Sequence, residues 1–364
     1  MTSVDKIISF VENDFADVSR QLSWDFSGKQ VYLGDVAVSR ICLALDPLLL
    51  ALEQAHKWGC ELLITHHPLF FKPLRGLFHG RDSAAVYAVK SGITILSYHT
   101  NLDLAENGLN AYILELLGAR NIAPLAQEKG DNWYKLTVFT PSGYEEALLD
   151  ALSATGAGNI GNYSRCAFYS EGIGTFTPNQ DANPFIGERG RAEKVKELRL
   201  EMIVPEKRLF QSVQAMRKVH PYEEPAFDII PIKSPEKFGL GLVGEFDEPI
   251  PFESFIELLR EKLSVADLRA NMYRTEEVKR FSVSTGSGAE LWQDAAKVGV
   301  DVHITGDLKH HTALDARQSG VTIVDVGHFY SERIYLTRFA EVLKREFNVE
   351  VFLAEETPPI ITLA

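Results

Sequence analysis

The sequence predicts an α/β protein, a two-module body with mostly parallel sheets that is interrupted by a ferredoxin-like α+β insert. Three observations predict it. From Val36 to Leu117, short apolar runs alternate with residues at helical spacing. The same alternation resumes near Gly239. Between the two, residues 134–232 carry strand-helix-strand twice over.

The elements follow in order. Ile7, Ile8, Val11, Phe15, Val18 and Leu22 predict a helix over residues 5–22. Val36–Leu45 reads as a buried strand, and Pro47 opens a helix to Lys57. Leu62–Thr65 is a strand, Ser83–Ser91 a helix, Ile93–Tyr98 a strand and Gly108–Leu117 a closing helix. Such a series implies right-handed crossovers and a largely parallel sheet. After the polar stretch Gln127–Asp131, Tyr134–Thr140 reads as a strand and Tyr144–Thr155 as a helix. A long segment rich in Gly, Pro, Asn and Phe spans residues 164–190. Lys196–Val204, Glu206–Val219 and Ala226–Ile232 then read as strand, helix and strand.

The second module continues with a helix at Phe252–Leu263 and a strand at Lys279–Ser284. Glu290–Val298, Val302–Thr305, Thr312–Ser319 and Val321–Val326 alternate helix and strand. Glu332–Phe347 is the last helix and Val349–Leu353 the last strand. Residues 1–126 and 236–364 are therefore expected to form one catalytic body, with 131–234 inserted.

At 364 residues the chain exceeds one ordinary core. A formal charge of −13 argues against nucleic acid as the main partner. Cys42, Cys60 and Cys166 have no C-x-x-C spacing, which excludes a cysteine zinc site and suggests a reducing compartment. Asp5, Glu12 and Asp14 interrupt any secretory core, and the Ile41–Leu52 stretch is broken by Asp46-Pro47, so a cytoplasmic protein without membrane spans is expected.

Three strand ends carry metal-competent side chains. His66-His67 follows Leu62–Thr65, His99 and Asp103 follow Ile93–Tyr98, and His328 with Glu332 follows Val321–Val326. Open α/β sheets place their chemistry at such ends. Imidazoles with carboxylates suit a borderline divalent metal. Adjacent His66 and His67 suit two neighbouring metals, because neighbours in an extended chain point to opposite faces. His328 and Glu332 share a face if a helix begins there, and a carboxylate has lone pairs for two cations. Each residue also has an ordinary reading: loop histidines, a helix-start acid at Glu332, an N-cap at Asp103. The convergence of all three ends favours the metal.

His99 and His311 are candidate proton carriers, with a hydrogen-bonded strand-end histidine as the plain alternative for His99. Lys309 is a candidate phosphate contact, and Gly286-Ser287-Gly288 resembles an anion-binding turn. Lys72, Arg75 and Arg81 are further anion candidates, with solvated surface the commoner role.

The set resembles the NIF-three-like dinuclear metal-centre family, whose members are often called GTP cyclohydrolase 1 type 2 homologues. Ile64-Thr65-His66-His67-Pro68-Leu69, His99-Thr100-Asn101-Leu102-Asp103, Ile304–Lys309 and Gly327-His328 with Glu332 carry the resemblance, which spans the whole chain. Tyr169–Phe176, Ala182–Glu188 and His220–Asp228 resemble the CutA/PII-like insert of the longer bacterial members. The resemblance implies that His66, His67, Asp103, His328 and Glu332 ligate two divalent metals, with Glu332 bridging. It also implies a homohexameric ring capped by the inserts. Two stretches depart from the family: Trp24-Asp25-Phe26-Ser27-Gly28-Lys29 replaces Trp-Asp-Asn-x-Gly-Leu, and His310-His311-Thr312 replaces Tyr-His-Asp.

The leading expectation is a metal-dependent hydrolase that opens the guanine ring of GTP and releases formate. A phosphoesterase acting on a nucleotide or another phosphate ester is the second, and a non-catalytic metal-binding ring the third. Three histidines and two carboxylates favour Zn, Fe, Mn or Co over Mg or Ca.

Overall fold

Arg40–Ala44, Leu62–Thr65 and Thr94–Ser97 lie side by side in parallel, with Glu350–Leu353 parallel on one edge and Gly28–Val31 antiparallel on the other. The computed structural model describes residues 2–361 except 18–19, 23, 75, 79, 81, 128–132, 161–162, 233–238 and 273–274, and not the side chains of 14 and 207. Every residue of Leu62–Thr65 and Thr94–Ser97 is buried, as in a parallel sheet covered on both faces. The helices Leu49–Lys57 and Ser83–Ser91 cover one face through Ala51, Leu52, Ala55, Ala85 and Ala88. Ile7, Tyr335 and Phe339 pack on the other, against Ile41, Leu43 and Ile64.

The second sheet runs Arg269–Ala270, Thr322–Asp325, Val302–Thr305, Glu277–Val283, Gly239–Pro251 and Arg120–Gln127. Its three central strands are parallel and the flanking ones antiparallel. Phe255 and Leu259 of the helix Phe252–Leu263 pack against Phe281 and Ile304. The long helix His328–Glu346 serves both sheets: Tyr335 and Phe339 join the first core, while Tyr330 and Ile334 pack on the second. Several elements differ from the sequence reading. The first helix ends at Phe10 and continues only as a π turn, Val11–Phe15. The strands Arg120–Gln127 and Gly239–Pro251, unread in the sequence, pair antiparallel with Gln127 opposite Gly239.

The chain divides into two compact units, residues 1–128 with 238–364, and residues 129–237. The second unit has the strand order Phe227–Ile232, Trp133–Pro141, Glu193–Pro205, Phe168–Phe176, antiparallel throughout. With the helices Glu145–Ser153 and Glu206–Val219 this is the ferredoxin-like arrangement. Leu136, Val138, Leu200 and Met202 face Leu148, Leu152 and Met216. The strand Phe168–Phe176 lies inside the segment the sequence left irregular. It is an exposed edge strand with two glycines, so it has no alternating apolar signal. No helix among the described residues is long and apolar enough to cross a membrane.

Candidate metal centre

Four imidazoles meet at the C-terminal ends of these strands, and each is anchored through Nδ1. His66 Nδ1 donates to the Tyr98 carbonyl oxygen at 3.0 Å. A carbonyl oxygen only accepts, so the lone pair of neutral His66 sits on Nε2. His67 Nδ1 meets Asp46 Oδ1 at 2.8 Å, His99 Nδ1 meets Asp25 Oδ1 at 2.9 Å, and His328 Nδ1 meets Asp307 Oδ2 at 2.7 Å. Carboxylate anchors of this kind fix the tautomer and leave Nε2 free for a metal.

The long helix starts at His328, so His328 and Glu332 stand one turn apart on one face. Gly327, at φ 81°, makes the sharp entry into that helix. Gly306 permits the close approach of the neighbouring strand end: a Cβ there would sit 2.6 Å from the His328 backbone nitrogen and 2.8 Å from the Gly286 carbonyl oxygen.

Glu332 is the hub. Its Oε1 lies 3.6 Å from His66 Nε2, and its Oε2 lies 3.2 Å from His67 Nε2 and 3.1 Å from His328 Nε2. Asp103 Oδ1 lies 3.9 Å from His66 Nε2 and accepts from Thr285 Oγ1 at 3.2 Å. Among the described residues two groups could hold a metal ion, His66 with His67 and His99, and His67 with His328 and Glu332. Asp103 stands beside the first.

The residues fit cations on grounds independent of any relative. His66 Nε2 and Glu332 Oε2 are buried and lack hydrogen-bond partners, a costly arrangement unless a ligand completes it. His67 Nε2 and His328 Nε2 lie 3.3 Å apart, with both Nδ1 atoms already engaged. In their neutral forms the two rings would face each other with lone pairs, so a positive charge, a proton or a metal ion, is needed there. The electrostatics agree. Burial opposes charge on His67, but Asp46 and the nearby Glu332 carboxylate outweigh that and push its pKa up to about 10. Burial likewise opposes charge on His328, yet Glu332 and then Asp307 raise it to about 9. Glu332 is buried, and His66, His328 and His67 nevertheless hold its carboxyl well below the usual range. Burial pushes Asp103 up against the pull of His66 and His99.

The supporting acids were largely illegible. Asp46 follows the strand Arg40–Ala44, beside the strand that delivers His66-His67, and that adjacency was its only signal. Asp25 is buried and accepts from Phe26 N, Ser27 Oγ, Thr100 N and Thr100 Oγ1 as well as from His99. Burial opposes its charge, but His99 and Thr100 keep it ionised. Asp307 takes a hydrogen bond from Ser287 Oγ and adopts φ 52°.

Other candidates fall elsewhere. His311 is exposed on the first turn of His310–Gln318, its ring against His310, and joins neither group. Lys309 and Lys72 are exposed, and Arg75 and Arg81 lie outside the described residues. The Gly286 N–H of the small-residue turn is taken by Ser331 Oγ at 3.0 Å, so the turn braces the site. His303, unread in the sequence, is fully buried between Ser282 Oγ and the Gly288 carbonyl, and burial lowers its pKa to about 4. A cavity of about 300 Å³ opens beside the cluster, lined by Trp24, His99, Asp103, Thr285, Ser287 and His328 among others.

Fold and cluster define an α/β protein whose sheet ends carry a site able to hold metal ions. The family model for DUF34/NIF3 (NGG1p interacting factor 3) matches residues 2–359, and the chain belongs to that family. A relative from Halalkalibacterium halodurans named GTP cyclohydrolase 1 type 2 homolog is 37% identical over 80% of this chain and 79% of its own. A Bacillus subtilis protein of the same name is 35% identical over 98% of both chains. The crystal structure of a Bacillus cereus protein related to NIF3 superposes with a TM-score of 0.80, at 32% identity over 99% of each chain.

Proposed function

We propose that this chain is a dinuclear, divalent-metal-dependent hydrolase of a small molecule, with GTP the first substrate to test. The observation that carries this reading is Glu332, whose two oxygens face different histidines, His66 on one side and His67 with His328 on the other. His66 and Asp103 would hold one metal, His67 and His328 the other, with Glu332 shared. When bound, such metals supply Lewis acidity and a nucleophile at neutral pH.

The protein's own groups do the rest. Asp25 holds His99 Nδ1–H, leaving Nε2 to take and return a proton at the cavity. Trp24 and Phe71 stand edge-on to the His99 ring at 5.8 and 6.0 Å, and both are more than half exposed. They offer flat apolar walls to a planar ring. Among the described residues lining the cavity there is no Lys or Arg, which favours a nucleobase-like end there over a polyphosphate. The relatives' name is the reason to begin with GTP. The family likeness also supports a homohexamer, which light scattering on the purified chain tests.

The decisive assay is formate release from GTP by protein loaded with Zn, Fe, Mn or Co. Formate that disappears with chelator and in His66→Ala supports the reading. Inorganic phosphate instead of formate would assign a phosphoesterase, and neither product across all four metals would leave a metal-binding scaffold.

A further inference from the structure

A cavity of about 370 Å³ lies within residues 129–237, on the sheet face turned away from the two helices. Its volume is that of a small-molecule site. Three stretches that the metal centre leaves unused meet there: Gly174–Phe176 of the edge strand, Ala182–Ile186 of the loop after it, and Tyr222–Ala226 after the second helix. The Gly190 N–H donates to the Pro178 carbonyl oxygen at 2.8 Å and closes that loop over the sheet.

The walls are aromatic. Phe176 and Phe185 lie 6.0 and 6.3 Å from the Tyr222 ring, and Phe139 adds a fourth ring. Glu197, Glu223 and Glu224 are the charged residues among the described lining, which includes no Lys, Arg or His. Each carboxylate is held. Tyr222 Oη donates to Glu197 Oε1 at 3.0 Å, the Asn183 N–H donates to both oxygens of Glu223 at 3.1 Å, and Arg217 reaches Glu224 at 3.4 Å. A Cβ on Gly174 would collide with the Glu197 carboxylate, so glycine there leaves room for it. His220 holds Tyr222 in place, donating from Nε2 to the Phe139 carbonyl and accepting the Tyr222 N–H at Nδ1, each at 3.0 Å.

Aromatic faces carry negative potential, and here carboxylates stand among them. An anion is repelled by such a wall, whereas a cation gains from the rings and the carboxylates together. We propose that this cavity binds a small organic cation of the alkylammonium type, its head beside Glu197 and Glu223 and its methylene skirt on Phe176, Phe185 and Tyr222. The site is separate from the metal reading and does not depend on it.

The test uses the full-length chain and two probes of nearly equal shape, choline and the neutral 3,3-dimethylbutan-1-ol, in calorimetric titrations. Choline is expected to bind saturably, and the neutral isostere about tenfold more weakly, the order of one desolvated cation–aromatic contact. Glu197→Gln should weaken choline by a similar factor while preserving the bond to Tyr222. Tyr222→Leu should weaken it more than Tyr222→Phe, which keeps the ring, and circular dichroism checks that both variants fold. Equal affinity for the two probes, choline binding undiminished in Glu197→Gln, or no choline binding up to about ten millimolar, weaker than any useful small-ligand affinity, overturns the proposal.

Discussion

His328 Nε2 lies 3.3 Å from His67 Nε2, although 261 positions of sequence separate the two residues. Asp307 and Asp46 hold their Nδ1 atoms, so both lone pairs turn toward the same point and toward Glu332. The fold brings these residues together from two different sheets, and three of the predictions below follow from that contact and its supports.

Asp46 is expected to act through His67. Asp46→Ala removes the acceptor that orients the ring, which should lower metal affinity about 10–100-fold. Competition against a coloured chelator measures it, and parent-like affinity would show that His67 needs no such support.

Asp25 is expected to matter to the fold as well as to His99. Asp25→Asn turns an amide N–H₂ toward N–H and O–H donors, at a cost of about 1–3 kcal/mol. Thermal unfolding should register the loss while metal content stays at the parent level. A variant as stable as the parent would remove Asp25 from this role.

The metal-free protein should lose stability as the pH rises. His67 and His328 have folded pKa values of about 10 and about 9, above the unfolded value near 6.5. Their contribution is fully present below that unfolded value and is lost as the pH passes through the folded ones. The melting temperature of chelator-treated protein should therefore fall between about pH 7 and pH 10, and fall less in His328→Asn. A flat profile, or an equal fall in the variant, would contradict this.

The insert is expected to control access and not to build the metal site. None of the proposed ligands lies within residues 131–234. Gln127 and Gly239 face each other across an antiparallel pair, so the ends to be rejoined are already neighbours. Joining Gln127 to Leu240 with a short Gly/Ser linker should leave a folded protein that keeps both metals and admits larger substrates. A soluble, folded deletion without metals would show that the insert helps form the site.

The clustering of these histidines was legible because the strand ends of an open parallel sheet converge: His66-His67, His99 and His328 each follow a buried apolar run. The last helix, read from Glu332, starts one turn earlier at His328, directly after the sharp turn at Gly327. Asp46 was not, since an Asp before Pro looks like ordinary helix-entry punctuation. Glycine-containing strands such as Phe168–Phe176 and Gly239–Pro251 were missed because their pairing is settled by tertiary partners, not by an alternating pattern. His311 drew notice because it follows a fourth strand end, Val302–Thr305, but the fold puts it on an exposed helix turn.

Metal content in Glu332→Gln tests the central claim most directly. A neutral amide keeps the shape of Glu332 but cannot serve two cations as a carboxylate does. Elemental analysis after metal loading and gel filtration should find two metals per chain in the parent, chiefly one in His66→Ala, and the loss of both in Glu332→Gln. A Glu332→Gln protein that is folded and keeps the parent's stoichiometry would contradict the shared-carboxylate centre.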